Sequence, residues 1–159
     1  MTARLAVEMG DVFAAAGLVS APPIDLGGSD PFPHPIPLIA FYGTADPLVK
    51  YEGGVVAASP LTTLIRLPAH RLAFPPVRPW IESWARHNGC QPTSEALPTP
   101  LGIKGEKFVG CQDGAEVVFY TIAGGGHTWP GGSPTFIGKT SRKIDATRLM
   151  WEFFKQHLR

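Results

Sequence analysis

The sequence has little charge, no long apolar run and almost no cysteine. Only 17% of its 159 residues are charged, and 14 Lys and Arg against 13 Asp and Glu leave a formal net charge of +1. Such a chain has no overall field that would draw it to nucleic acid, to a membrane surface or to a strongly acidic substrate. We therefore expect neither a nucleic-acid nor a membrane partner, and function must come from a local site.

Apolar residues are nevertheless plentiful enough to form a core. They make up 44% of the chain, which argues against a disordered tail, and the length is that of one domain. No stretch reaches the roughly 18 consecutive apolar residues of a membrane span. The first residues lack the cationic start and apolar run of a signal peptide. The 18 Gly and 17 Pro, together 35 of 159 residues, indicate long structured loops rather than a helical bundle.

The two cysteines, Cys90 and Cys111, form an even pair that would close a modest loop. Such a pair suits a structural disulfide in an oxidising compartment. Two buried thiols are the alternative, and the spacing alone does not decide between them.

The first third of the chain combines two regular segments with a long loop. Residues 2–10 have apolar positions at helical spacing, whereas 11–20 turns into a short apolar run, so we expect a helix and then a buried strand. Six prolines between positions 21 and 37 are incompatible with a helix or a central strand, and this stretch is predicted to be a loop. Residues 51–76 show no pattern that favours either element.

Two further segments, 38–42 and 115–122, are apolar on both faces, which is typical of strands inside a parallel sheet. A helix is predicted from about 79 to 87, and another at the C-terminal end. The predicted apolar stripe of that last helix consists of Ile144, Thr147, Trp151, Phe154 and Leu158, widened by Met150 and Phe153. Strands alternating with helices predict an α/β fold with a mostly parallel sheet flanked by helices.

Ionisable side chains follow both apolar strands. Asp46 lies in Gly-Thr-Ala-Asp-Pro after the first, and His127 lies in Gly-Gly-Gly-His-Thr-Trp after the second. Sites in open parallel sheets form at the carboxyl ends of the strands. An acid that orients an imidazole and stabilises its charge supplies two members of a catalytic triad. Each residue also has a plainer interpretation, Asp46 as a turn former before Pro47 and His127 as a loop histidine among glycines.

Other ionisable groups give weaker signals. Asp145 is a rival acid, although its place at the start of the last helix favours an interaction with the helix dipole. Lys139, Arg142 and Lys143 form a basic cluster that favours a solvated face. The remaining histidines lack the paired spacing of a zinc site, so neither a metal nor another cofactor is expected. They are His34, His70, His87 and His157.

Several motifs together resemble one family, the esterases of the α/β-hydrolase fold that include polyhydroxybutyrate depolymerase-like and feruloyl esterase-like enzymes. Residues 41–47, Phe-Tyr-Gly-Thr-Ala-Asp-Pro, with 51–54, look like the acid loop of that family. Residues 124–132, Gly-Gly-Gly-His-Thr-Trp-Pro-Gly-Gly, look like its histidine loop. Residues 84–90 and the later Cys111 also occur in the order that the family shows.

The resemblance implies a serine carboxylic-ester hydrolase in which Asp46 and His127 are the acid and the base of a triad ordered Ser, Asp, His. The nucleophile motif Gly-x-Ser-x-Gly does not occur, since Ser20, Ser29 and Ser133 stand in other contexts. The chain alone is therefore expected to be inactive.

In the family, the helix that resembles residues 2–10 directly follows the nucleophile, so the serine is expected just upstream of Met1. Residues 1–159 would then form one partial domain, the C-terminal part of an α/β-hydrolase fold. The strand within 11–20 would lack its inner neighbour, which leaves an edge where the chain would self-associate.

The resemblance also implies a Cys90–Cys111 disulfide and a secreted or periplasmic parent enzyme. Its substrate would be a polyester oligomer or a hydroxycinnamoyl ester. Trp129 would either line the ester pocket or pack the histidine loop. The alternative function is a non-catalytic product that binds a ligand or a protein partner through the residual cleft or the exposed edge.

Overall fold

The computed structural model describes residues 1–28, 31–56, 58–64, 66 and 73–158. The described helices are α1 (Thr2–Glu8), α2 (Pro60–Leu64), α3 (Val77–His87) and α4 (Ala146–Gln156). The described strands are β1 (Ala16–Val19), β2 (Leu38–Gly43), β3 (Gly54–Val55), β4 (Ala73–Phe74), β5 (Ser94–Leu97), β6 (Ile103–Phe108) and β7 (Val117–Ile122). No helix among the described residues is long and apolar enough to cross a membrane.

The main sheet has the strand order β1-β2-β7-β6-β5. Strand β2 lies between β1 and β7 and is parallel to both, with Leu38 opposite Ala16 and Val117. All six residues of β2 are buried, because helices cover both faces of the sheet here. The predicted strands at 38–42 and 115–122 are confirmed, although β7 begins two residues later than expected.

The prediction of a mostly parallel sheet is wrong, because the described sheet is mixed. Strand β6 is antiparallel to β7, and β5 is antiparallel to β6. The short connections between these strands allow antiparallel pairing, whereas parallel strands need a long crossover. The sequence interpretation missed both strands because charged residues interrupt β6, which reads Ile-Lys-Gly-Glu-Lys-Phe.

The two faces of the central strands belong to two separate parts of the core. Leu38, Ala40 and Tyr42 contribute to the cluster that contains α1 and α3, whereas Ile39 and Phe41 contribute to the cluster that contains α4. This alternation follows from the period of two in a strand. Helix α3 begins two residues before the predicted start, and residues 21–28 and 31–37 form the predicted proline-rich loop.

The predicted apolar stripe of α4 is wrong in its centre. Trp151 is 62% exposed and Leu158 is 80% exposed, whereas Ala146, Met150 and Phe153 are buried. Met150 of α4 packs directly against β1, because the lack of a side chain at Gly17 leaves room for its thioether group. A Cβ at Gly17 would lie 3.0 Å from the Met150 sulfur, so the close approach of helix and strand selects which face is covered.

Candidate active site

Asp46 follows the carboxyl end of β2 and is only 4% exposed. Its Oδ1 atom accepts hydrogen bonds from the backbone N–H of Leu48, at 2.8 Å, and of Val49, at 2.9 Å. The carboxylate therefore does stabilise a turn, as the plainer interpretation of the sequence had it. Because these bonds use only one oxygen, Oδ2 remains available to another partner.

That partner is His127, in the loop that follows β7. The Nδ1 atom of His127 lies 2.9 Å from Oδ2 of Asp46, and the imidazole is 31% exposed. An ionised carboxylate only accepts hydrogen bonds, so Nδ1 carries the proton, and Nε2 of the neutral ring has a free lone pair. No side chain in the described part of the structure forms a hydrogen bond with Nε2. The arrangement is that of an oriented general base.

The sheet brings these two residues together across 81 positions of sequence. Because β2 and β7 are parallel neighbours, their carboxyl ends lie at the same edge, and the following turns bond to one another. The backbone N–H of Ala45 donates to the carbonyl of Gly125 at 2.9 Å, and that of Gly124 donates to Oγ1 of Thr44 at 2.9 Å.

A second segment holds the histidine loop from its other side. The backbone N–H of His127 donates to the carbonyl of Ile137 at 3.0 Å, and that of Gly126 donates to the carbonyl of Lys139 at 3.0 Å. The hydroxyl of Thr128 donates to the same Lys139 oxygen at 3.2 Å. Residues 126–128 are thus bonded to 137–139, and this positions the imidazole.

The surroundings of Asp46 are buried. Tyr42, on β2, is fully buried and donates its hydroxyl proton to the carbonyl of Ala21 at 2.7 Å. Burial, and secondly the negative charge of Asp46, raise the pKa of Tyr42 well above its usual range. The phenol is therefore a permanent donor to Ala21 and takes no part in proton transfer at ordinary pH.

Trp129 and Asp145 lie near the N-terminus of α4. The indole Nε1 of Trp129 donates to Oγ1 of Thr147 at 2.9 Å, so one edge of the ring is fixed on the helix while the side chain stays exposed. Asp145 caps α4, because its Oδ1 accepts from the backbone N–H of Arg148 at 3.0 Å. The sequence favoured a dipole interaction of Asp145 from within the first turn, whereas the structure places it just before the helix as the N-cap.

The other residues named from the sequence lie apart from the pair. His87 stacks on Phe32, with ring centroids 4.5 Å apart, and His157 packs against Phe153 with centroids 4.4 Å apart. His70 and Ser29 lie outside the described residues. Cys90 and Cys111 form a disulfide, so the alternative of two buried thiols is wrong.

Sequence reasoning dismissed Ser20 because it lacks the nucleophile motif, yet the structure places it at the carboxyl end of β1, beside β2. Its φ of 46° lies in the left-handed region, which is unusual for serine. Ser20 is buried, and none of the described hydrogen bonds joins its hydroxyl to His127. Because its backbone is strained and it lies at the carboxyl end of a strand, Ser20 is a candidate nucleophile, although no sequence motif marks it.

No family model matches the chain. The chain is 31% identical, over 96% of its length, to a protein of Nocardia uniformis subsp. tsuyamanensis that is named as an esterase, NocK. It is 30% identical over 94% of its length to the feruloyl esterase B of Piromyces equi, and 29% identical over 97% to a protein named as feruloyl esterase C in Aspergillus niger.

All three relatives carry esterase names. The chain spans 47%, 24% and 45% of the lengths of these three relatives. It is thus similar to half or less of each of them.

Proposed function

We propose that this chain carries the base and the orienting acid of a serine carboxylic-ester hydrolase, His127 and Asp46. The observation that supports the proposal is the 2.9 Å contact between Nδ1 of His127 and Oδ2 of Asp46. Two backbone N–H groups hold the other carboxylate oxygen, so the acid is fixed in position. The esterase names of the relatives point to the same chemistry.

In the proposed cycle, a serine hydroxyl within reach of Nε2 attacks the ester carbonyl while Nε2 takes its proton. The tetrahedral intermediate then collapses, and Nε2 returns the proton to the departing alcohol. Water attacks the acyl-serine with the same base, and the released products are a carboxylic acid and the free serine. Asp46 stabilises the imidazolium that exists between these proton transfers.

The nucleophile is proposed to lie in a part of the native protein outside these 159 residues. The chain contains no Gly-x-Ser-x-Gly motif, and it aligns with only 47% of the Nocardia relative. Strand β1 stands at the edge of the described sheet, so a further strand with a serine at its carboxyl end would lie next to Ser20. Such a strand would complete a C-terminal α/β-hydrolase portion.

The proposed substrates are polyester oligomers or hydroxycinnamoyl esters, and the names of the two fungal relatives favour the latter. Trp129, two residues beyond His127, would present its exposed ring to the acyl group. The Cys90–Cys111 disulfide supports an oxidising compartment, hence a secreted or periplasmic enzyme.

The decisive experiment is expression of the whole native reading frame, followed by assay on methyl ferulate and 4-nitrophenyl butyrate. We expect His127→Ala to lower kcat/KM on the order of a thousandfold or more, and Asp46→Asn to a similar extent. His34→Ala, which alters an exposed histidine elsewhere, should leave the rate unchanged. Retention of activity in His127→Ala would overturn the proposal.

A fluorophosphonate probe locates the nucleophile. We expect labelling in the whole reading frame at a serine outside these 159 residues, and no labelling of the 159-residue chain by itself. Labelling of the chain alone that disappears in both His127→Ala and Ser20→Ala would mean that Ser20 is the nucleophile. That outcome keeps the acid and base but overturns the proposed position of the serine.

A second candidate function is a non-catalytic product that binds a partner, or a second copy, through β1. The observation that favours it is the edge position of β1 beside the exposed side chains of Val12 and Phe13. Sedimentation of the 159-residue chain at low and high concentration tests self-association. A monomer at both concentrations would exclude pairing between copies.

A further inference from the structure

A cluster of cations near the start of α4 has no acidic partner among the residues that the structure describes. Lys139, Arg142 and Arg148 form no ion pair with any carboxylate that the structure describes. The ammonium of Lys143 donates to the carbonyl oxygen of Leu101 at 2.6 Å. In a chain with a net charge of only +1, four neighbouring cations create a local positive field. The sequence favoured a solvated face for Lys139, Arg142 and Lys143, and all three are exposed. Together with Arg148 they also border cavities.

Two adjoining cavities meet at these cations. The larger, of about 600 Å³, is lined by Arg142, Lys143 and Arg148 together with Ser133. Among the described residues that line it, Asp145 is the one acid, and its charge is outnumbered by the three cations. This cavity is therefore suited to an anion.

The smaller cavity, of about 340 Å³, has an apolar floor. Ile103 and Ile122, which are buried, line it together with Ala123, which is exposed, and Arg142 and Lys143 line both cavities. Its volume is at the lower end of the range for small-molecule sites. An apolar floor beneath a cationic rim suits a molecule with one apolar part and one negative end.

A polar side chain in the same cavity lacks a partner. Thr140 lines the smaller cavity, and its buried Oγ1 forms no hydrogen bond with any group in the described part of the chain. A buried hydroxyl without a partner costs free energy. Lys143 also retains N–H donors beyond the one that it gives to Leu101.

We propose that these cavities form one binding site for an organic carboxylate with an apolar body. The apolar body occupies the floor formed by Ile103, Ile122 and Ala123. The carboxylate lies beside the cations that line both cavities, where the planar guanidinium of Arg142 can bind both oxygens and Lys143 adds a second charge. The chemistry matches the acid that ester hydrolysis releases, and in this respect alone the inference rests on the proposed function.

The site borders the histidine loop, so its occupation bears on the candidate active site. Gly125 lines the smaller cavity, and the next residue, Gly126, bonds to the carbonyl of Lys139, another lining residue. A ligand there would contact the histidine loop at Gly125 and the segment that holds this loop at Lys139.

Binding is tested by titration calorimetry of the 159-residue chain, or of the whole native protein, with 3-phenylpropionate. The matched ligands are 3-phenylpropanamide, which lacks the charge, and inorganic phosphate, which lacks the apolar body. We expect the amide and phosphate each to bind at least about tenfold more weakly, since a charge-assisted pair or the buried apolar area is lost. Amide resonances of Gly102, Ala123 and Gly125 should shift with 3-phenylpropionate.

Variants separate the two halves of the site. Arg142→Gln should raise the Kd of 3-phenylpropionate about tenfold or more, and Ala123→Leu should fill the floor and prevent binding. Lys155→Gln removes an exposed cation elsewhere on α4 and should leave the Kd unchanged. Circular dichroism confirms that each variant is folded.

Equal Kd values for the acid and its amide, or an unchanged Kd in Arg142→Gln, would overturn the proposal. Phosphate binding as tight as that of 3-phenylpropionate would show a simple anion site and would overturn the role of the floor. None of these measurements involves hydrolysis. A failure of the proposed catalytic role of His127 would therefore leave the binding result intact, and the reverse also holds.

Discussion

Gly43 and Gly125 approach each other so closely that a β-carbon on Gly43 would overlap the carbonyl group of Gly125. The contact joins the end of β2 to the loop after β7, and it lies beside the hydrogen bond from Ala45 to Gly125. The carboxylate of Asp46 and the imidazole of His127 stand three and two residues further along. The lack of a side chain at position 43 thus sets the distance between acid and base.

Gly43→Ala should separate the two loops. We expect the free energy of unfolding to fall by about 1–3 kcal/mol, because the added methyl meets backbone rather than a flexible side chain. In the whole enzyme, the same substitution should also lower the rate of ester hydrolysis. Urea denaturation and the assay on methyl ferulate measure the two effects. Gly28→Ala is the matched control, since nothing lies within 4 Å of the added carbon there, and equal effects of the two substitutions would contradict the prediction.

The carboxylate of Asp46 should fix the tautomer of His127. We expect ¹⁵N NMR of the neutral ring to show the proton on Nδ1 in the wild type, because Oδ2 can only accept. In Asp46→Asn, the amide can donate to Nδ1, and the proton should move to Nε2. His34, which is exposed, serves as the internal reference. A wild-type ring with its proton on Nε2 would contradict the assignment of Nε2 as the base.

Glu106 on β6 should make stability depend on acidity. Its side chain is 6% exposed and accepts hydrogen bonds from Nη1 and Nη2 of Arg78, at 2.5 and 3.0 Å, while Nζ of Lys104 lies 3.1 Å away. Burial alone would raise the pKa of Glu106, but the bonds and charges of Arg78 and Lys104, with a bond from Ser94, outweigh it and hold the pKa below its usual 4.5.

Because the pKa of Glu106 is lower in the folded state, its ionised carboxylate stabilises the fold fully above about pH 4.5, the pKa of this group in the unfolded chain. This stabilisation is lost as the pH falls through the lower pKa of the folded state. Glu106→Gln should therefore cost about 1–3 kcal/mol at pH 7, and the loss should shrink in acid. Urea denaturation at pH 7 and pH 3 measures this. Glu8→Gln is the control, because it breaks an exposed ion pair with Arg4 and should cost well under about 1 kcal/mol. A loss of stability in Glu106→Gln that does not depend on pH would refute the assignment of the pH dependence to Glu106.

The disulfide between Cys90 and Cys111 should contribute measurably to stability. It closes a loop of 21 residues, and its removal in Cys90→Ser/Cys111→Ser should lower the free energy of unfolding by about 3 kcal/mol, since the unfolded chain gains freedom. Intact mass after alkylation tests the bond itself. Two thiols should be modified only after reduction, and modification without reductant would disprove the bond in solution.

Local patterns in the sequence were enough to predict the elements on which the candidate site is built. Residues apolar on both faces predicted β2 and β7, because only a covered strand tolerates such a run. Six prolines predicted the loop before β2, because proline can neither continue a helix nor donate within a sheet. From the ends of those strands, Asp46 and His127 followed as candidates, since strand ends are where parallel sheets place their sites.

Other features depend on which elements become neighbours, and only the tertiary structure decides this. The 2.9 Å contact of Asp46 with His127 requires β7 to pair beside β2 across 81 residues. The covered face of α4 depends on the room left by Gly17, which is why Trp151 is exposed.

The cations at positions 139, 142, 143 and 148 lie far from residues 101–103 in the sequence. They can form the proposed carboxylate site only when the turn at 101–103 folds against them. Sequence periodicity reports how one segment divides its own residues between water and core. It carries no information about distances between segments, because those are fixed by packing across the whole sheet.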